Sequence, residues 1–218
     1  MPGFDKDFFL NFIIENNVVG FFDEPVTLKS GKKSNWYLNW RTVTEDVFLS
    51  DKLCDFLLSF IQDSNLIPEC FYGVPEGATK LGILSTYKWA SSHKDYAKGT
   101  YPLCMGRGKP KEHGLPKDRY FLGEPRGKVI ILEDVTTTGG SLINEITKLQ
   151  EMGAEIIAAI SLSDREMRDD EGLSVTEKLS KMGVRFLAFS QAHEILPLAI
   201  KKLQPVIEIV KSIEKELS

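Results

Sequence analysis

Val129-Ile-Ile-Leu-Glu-Asp-Val-Thr-Thr-Thr-Gly-Gly-Ser141 is the stretch that decides the reading of this chain. Four apolar residues run without interruption, as in a strand covered on both faces of a sheet. They end in two carboxylates, Glu133 and Asp134. A turn of threonines and glycines follows, and then a segment of helical periodicity from Ser141 to Met152, closed by Gly153. Open α/β sheets bind ligands at the carboxyl ends of their strands. The turn offers backbone N–H groups, small hydroxyls and a helix N-terminus, which together cradle a phosphate. Gly139 and Gly140 let the backbone come close to that phosphate. Glu133 and Asp134 are acceptors suited to the hydroxyls of a ribose. The same string also reads, more plainly, as a strand ending in an acidic turn with a serine cap. Neither a Walker A loop nor a dinucleotide-binding glycine fingerprint occurs in the chain.

Outward from this string the pattern alternates. Upstream, Cys70 to Val74 reads as a short buried strand, Thr79 to His93 as a helix and Tyr101 to Met105 as a strand. Lys128 to Asp134 is the central strand. Downstream come a strand from Glu155 to Leu162, a helix from Val175 to Met182 and a strand from Val184 to Phe189. Strand and helix in alternation predict an α/β fold: a doubly wound, mostly parallel sheet with helices on both faces. Before it, Phe8 with Phe12 and Phe9 with Ile13 predict a helix from Phe4 to Asn16. Thr27 to Trp40 reads as a polar hairpin turning at Ser30-Gly31-Lys32, and Phe48 to Gln62 as a helix. From Glu194 onward the chain reads as helix interrupted at Pro197 and Pro205.

The 218 residues are 42% hydrophobic and 27% charged, enough for one packed domain with a small appended hood. A formal net charge of -4 argues against non-specific nucleic-acid binding but allows a local basic pocket. No secretory signal and no apolar run long enough for a membrane span is visible, so a cytoplasmic protein is expected. Cys54, Cys70 and Cys104 contain no CxxC pair and read as reduced core thiols.

One connection is unusually long. Residues 106–126 carry four glycines and three prolines and show no periodicity, which predicts a lid that sits as neither helix nor strand. Arg107, Lys109, Lys111, His113, Lys117 and Arg119 gather there against Glu112 and Asp118. A cationic cluster on one long loop of an acidic protein suits closure over a polyanion. It also reads as a solvated charged loop.

The Val129–Ser141 string resembles the motif for phosphoribosyl pyrophosphate (PRPP) in the type I phosphoribosyltransferases. Four further segments resemble the orotate branch of that family: Leu28-Lys-Ser-Gly-Lys-Lys-Ser34, Gly73-Val-Pro-Glu-Gly77, Arg107-Gly-Lys-Pro-Lys-Glu-His-Gly114 and Ser161-Leu-Ser-Asp-Arg165. They span most of the chain in family order. The resemblance implies transfer of 5-phosphoribosyl from PRPP to orotate, giving orotidine 5'-monophosphate and pyrophosphate. It implies one domain over residues 1–218, with residues 1–45 forming a hood and residues 106–126 a lid.

The resemblance also implies residue roles. Lys29 contacts the pyrophosphate, and Glu76 and Gly77 present backbone to it. Tyr37 and Leu38 lie along the orotate ring. Arg107, Lys111 and His113 close over the pyrophosphate from the neighbouring subunit of a homodimer. Glu133 and Asp134 hold the ribose hydroxyls, and Val135, Thr136, Thr137, Thr138, Gly139, Gly140 and Ser141 form the substrate-binding turn. Thr137 and Arg165 grip the orotate. Lys111, His113 and Asp134 are the expected catalytic residues. The cofactor is Mg²⁺, held mainly by PRPP near Glu133 and Asp134 rather than by protein ligands. The family often has a lysine where Gly77 stands and a basic residue where Gly108 stands. Two rival readings remain: transfer to a purine or other base, and a non-catalytic PRPP-sensing regulator of the same fold.

Overall fold

Strands β3 (Cys70–Gly73), β6 (Lys128–Thr136), β7 (Glu155–Asp164) and β8 (Phe186–Gln191) form one parallel sheet in that spatial order in a computed structural model of the chain. The structure describes residues 3–28, 31–113 and 119–217. β6 is central, and its apolar run is continuous because both faces of the sheet are covered. Ile130 and Leu132 point into one core, with Phe71, Ala158 and Ile160. Val129 and Ile131 point into the other, with Tyr72 and Ala159.

The helices divide accordingly. α5 (Gly140–Glu151) and α6 (Val175–Lys181) cover one face through Leu142, Ile146, Leu149 and Leu179. α1 (Lys6–Glu15), α3 (Val47–Asp63), α4 (Thr79–Ser91) and α7 (Ala192–Leu203) pack on the other, around Phe9, Phe56 and Phe189. Phe9 stacks on Trp40 with ring centroids 5.6 Å apart and meets Phe56 edge-on at 5.1 Å. After β3, α4 leads to β4 (Met105–Gly106) beside the free edge of β3, while α5 leads from β6 the opposite way to β7. The winding therefore reverses between β3 and β6. That is where a doubly wound sheet opens a crevice.

Outside the sheet, β1 (Val19–Thr27) and β2 (Lys33–Leu38) form an antiparallel pair with a register shift between Phe21 and Val26. The strand over Val19–Thr27 was not expected, because Asp23-Glu24-Pro25 breaks the apolar alternation there. α8 (Ile207–Leu217) packs Ile209 and Ile213 against this pair. The helix α2 (Arg41–Thr44) is a single turn with no sequence signature.

Three expectations need correction. The strand expected from Tyr101 to Met105 is only Met105–Gly106. The segment expected to hold no strand pairs at its base: β4 runs antiparallel to β5 (Phe121–Leu122), because Phe121 is buried edge-on to Tyr72 at 5.8 Å and seals the ladder. Pro197 lies inside α7 rather than ending it, since Ile195, Leu196 and Ala199 hold that turn in the core; the chain breaks at Pro205, after Gln204 adopts a left-handed φ of 48°. The three cysteines are buried free thiols, and Cys70 Sγ lies 3.2 Å from Cys104 Sγ.

Candidate active site

The two strands that flank the winding reversal each end in a loop that opens a helix without a side-chain cap. Asp5, Asp46 and Ser174 cap α1, α3 and α6 with their side chains, whereas α4 and α5 begin at Ala78 and Gly139 with none. The first N–H groups of α5 are thus left for another acceptor. Gly139 sits at φ 77°, a left-handed conformation that favours glycine, and a β-carbon there would lie 3.1 Å from Val175 Cγ2. Nothing stands within 4 Å of the position a β-carbon would take on Gly140. Lys178 of α6 braces the turn, donating to the Thr138 carbonyl and pairing with Asp169 at 2.9 Å.

A cavity of about 440 Å³ lies between these loops, within the range of small-ligand sites. Of the expected site residues it is lined by Tyr37, Leu38, Glu76, Gly77, Glu133, Asp134, Val135, Thr136, Thr137, Gly139, Gly140, Ser141 and Arg165. Leu28, Arg41, Pro75, Gly108 and Leu142 complete the wall and were not anticipated. Arg41 adds an exposed cation from α2. Thr138 is not in the wall, and its carbonyl is engaged by Lys178. Lys29 lies outside the described residues.

Side-chain roles within the turn differ. Glu133 is buried and Asp134 half-buried, with Asp134 Oδ1 accepting from the Val135 N–H at 2.9 Å. Thr136 faces inward, and its hydroxyl lies 3.1 Å from Asp164 Oδ1, so it offers the cavity backbone rather than hydroxyl. Burial pushes the Asp164 carboxyl above its ordinary value, opposed by the N–H of Glu166 and the Thr136 hydroxyl.

After β3, Pro75-Glu76-Gly77 enters the cavity, with a cis peptide between Pro75 and Glu76. A β-carbon on Gly77 would meet Asp134 Oδ2 at 2.3 Å, and one on Gly108 would meet Glu76 Oε1 at 3.0 Å. The loops from β3 and β6 therefore touch where a lysine often stands in the family.

The cationic segment continues the β4–β5 ladder outward, with Arg107 N donating to Tyr120 O at 2.9 Å and Lys111 N to Arg119 O at 2.8 Å. Lys111 and His113 are exposed and line no part of this cavity. Arg107 lines a neighbouring recess with Gly108, Ser141 and Lys148.

Arg165 follows β7, and its N–H bonds to Thr136 O at 2.9 Å, fixing it beside the turn. Its side chain is 1% exposed. It lies 3.8 Å from the centre of the Trp36 ring and pairs with Glu216 at 2.7 Å. Burial lowers its pKa and the Glu216 contact raises it again. Among the described residues no three metal-ligating side chains gather. The protein can offer a cation Glu133 and Asp134, which suits a metal whose remaining ligands come from a substrate. Nor is any helix among the described residues long and apolar enough to cross a membrane.

No family model matches the chain. It is 33% identical over 179 residues to an orotate phosphoribosyltransferase of Bradyrhizobium diazoefficiens, covering 78% of this chain and 87% of that protein. Among solved structures it is similar to Leishmania donovani UMP synthase, with a TM-score of 0.72 and 20% identity over 95% of this chain and 41% of that one. It is similar also to the orotate phosphoribosyltransferase of Francisella tularensis, with a TM-score of 0.67 and 21% identity over 95% and 96% of the two chains.

Proposed function

The chain belongs to the orotate phosphoribosyltransferases, type I phosphoribosyltransferases, and from that premise we propose that it transfers the 5-phosphoribosyl group of PRPP to orotate, releasing orotidine 5'-monophosphate and pyrophosphate in pyrimidine nucleotide synthesis. The observation that carries this reading is the uncapped start of α5 beside Glu133 and Asp134, facing Arg165 across one cavity. The N–H groups from Thr137 to Ser141 bind the 5-phosphate. Glu133 and Asp134 accept from the ribose hydroxyls. Glu76 and Gly77 offer backbone to the pyrophosphate. Tyr37, Leu38, Thr137 and Arg165 hold the base.

Transfer leaves positive charge on the ribose carbon as pyrophosphate departs, and the leaving group must be neutralised. Mg²⁺ carried by PRPP supplies part of that neutralisation. Lys29 supplies part of the rest from the hood, and Arg107, Lys111 and His113 supply the remainder from the lid of the neighbouring subunit in a homodimer. The exposure of Lys111 and His113 outside their own cavity wall suits that assignment. Orotate enters as an anion, so catalysis is positioning and charge stabilisation more than proton transfer. Residues 1–45 act as a hood and residues 106–126 as the lid of a single domain. Three buried free thiols suit a reducing, cytoplasmic setting. The test is a panel of orotate, uracil, hypoxanthine and adenine, each incubated with PRPP and Mg²⁺. Nucleotide formation from orotate alone is expected; nucleotide formation only from a purine contradicts the reading.

A further inference from the structure

Glu216 sits near the end of α8, far in sequence from every motif of the site, yet its carboxylate is bound into the wall of the cavity. Oε1 accepts from Arg165 Nη2 at 2.7 Å and from Trp36 Nε1 at 3.1 Å. Oε2 accepts from Ser34 Oγ at 2.7 Å. Arg165 is gripped on its other sides as well. Nη2 also donates to Ser34 Oγ at 2.7 Å, Nη1 donates to the Trp36 carbonyl at 3.1 Å, and the Trp36 indole lies against the face of the guanidinium. We propose that Glu216 is a positioning residue for base recognition: it holds Arg165 in the orientation that meets the base, and thereby sets affinity for the base without touching it. The proposal rests on the functional reading above.

Three observations carry it. First, the clamp takes the far end of the guanidinium and leaves Nε out. Arg165 Nε is buried with no hydrogen-bond partner among the described residues. A buried N–H without an acceptor is destabilising, and one in a residue that lines a ligand cavity suits an acceptor on the ligand. The chemical class is a planar base bearing a carboxylate or ring carbonyl oxygen. Second, the arrangement is built, not incidental. Ile209 and Ile213 bury one face of α8, which brings Glu216 to Ser34 and Trp36 on β2, the strand that continues into the wall residues Tyr37 and Leu38. Third, an arginine whose side chain is 1% exposed needs a compensating charge where it sits. Without Glu216 it turns away from the clamp or toward water, and the geometry at the base is lost. The turn between β6 and α5 meets Arg165 only through its backbone N–H and takes no part in the side-chain clamp, so the effect falls on the base.

The test uses the full chain with Glu216→Gln, Glu216→Asp and Glu216→Ala, measuring KM for orotate and for PRPP separately alongside thermal melting. Loss of one charge-assisted contact predicts a rise of about tenfold or more in KM for orotate in Glu216→Gln, with KM for PRPP within about twofold and a melt that is lowered, as expected for a broken buried pair, but still cooperative. Glu216→Asp, which keeps the charge, should recover part of that rise. Parallel rises in both KM values in a folded variant would show a merely structural role. An unchanged KM for orotate overturns the proposal, and so does a lower one, which would mean that Glu216 competes with the base for Arg165. If Glu216→Ala fails to fold, the Gln and Asp variants decide the question. Wild-type protein inert toward orotate would overturn the functional reading instead. The variants are then assayed with the base that it does use, and a KM for that base unmoved by Glu216→Gln overturns the positioning claim on its own.

Discussion

Gly77 and Asp134 approach so closely that a β-carbon on the glycine would stand 2.3 Å from Oδ2 of the carboxylate. The two loops at the winding reversal are packed around that contact. The glycine is therefore part of how Asp134 is held toward the cavity. Any side chain at position 77 must push the carboxylate away. Gly77→Ala is expected to lower kcat/KM by about 10²-fold, the usual effect of misplacing a group by about 1 Å. Restoring the lysine common in the family, Gly77→Lys, should not raise activity. Steady-state kinetics on both variants check this; a fully active Gly77→Ala contradicts it.

Asp134 is half-buried at a strand end and accepts from the N–H of its neighbour Val135, a local contact that ties no distant element to it. Asp134→Asn should reduce turnover by about 10²–10³-fold, by analogy with loss of one preorganised polar group at a reacting centre. Its melting temperature should shift by less than about 3 °C. A collapse of stability matching the loss of activity would mark the residue as structural.

Lys178 braces the turn before α5 from α6 through the Thr138 carbonyl and Asp169, and that turn is the one proposed to hold the 5-phosphate. Lys178→Met removes both contacts while keeping the stem. The expected result is a rise of roughly tenfold in KM for PRPP, of the order of one charge-assisted hydrogen bond, with KM for orotate little changed. Equal effects on the two substrates would contradict a role confined to the turn.

Much of this site was legible in the sequence because it is local. The apolar run ending in Glu133-Asp134, and the threonine-glycine turn after it, announce strand, turn and helix within thirteen residues of chain. Side chains that reach the site from afar could not be read in the same way. Glu216 meets Trp36 across 180 positions, and nothing in α8 beyond its amphipathic spacing hints at it. Arg41 stands on a one-turn helix too short to show a period. Thr136 and Thr138 look alike in sequence, yet the fold places them differently. The hydroxyl of Thr136 turns to Asp164, and Thr138 lies outside the wall. The β4–β5 ladder escaped notice because two-residue strands carry no alternation.

Asp164 gives a pH dependence with a definite sign. Its folded pKa is raised by burial above the ordinary 3.8. A raised carboxyl contributes stability that is present below pH 3.8 and lost as pH rises through the folded value. Relative to Asp164→Asn, the wild type should therefore lose stability as pH climbs from 3.8 through that higher value. Denaturant melts of both proteins across this window check it. A difference that stays flat, or moves the other way, contradicts the burial account.

The proposed sharing of sites between two subunits makes a prediction. Lys111→Ala and Asp134→Asn proteins should each be nearly inactive, and mixing them under conditions of proven subunit exchange should restore activity. A mixed dimer would hold one site with Asp134 intact and Lys111 arriving from its partner. No recovery would show that the cationic segment serves its own subunit.

The central claim is tested most directly by following the ultraviolet absorbance of orotate with the purified chain, PRPP and Mg²⁺ while measuring pyrophosphate in the same samples. The account predicts that orotate disappears only when PRPP is present, with one pyrophosphate released for each orotidine 5'-monophosphate formed. Turnover of hypoxanthine or adenine with none of orotate, or PRPP binding with no base consumed, would contradict it.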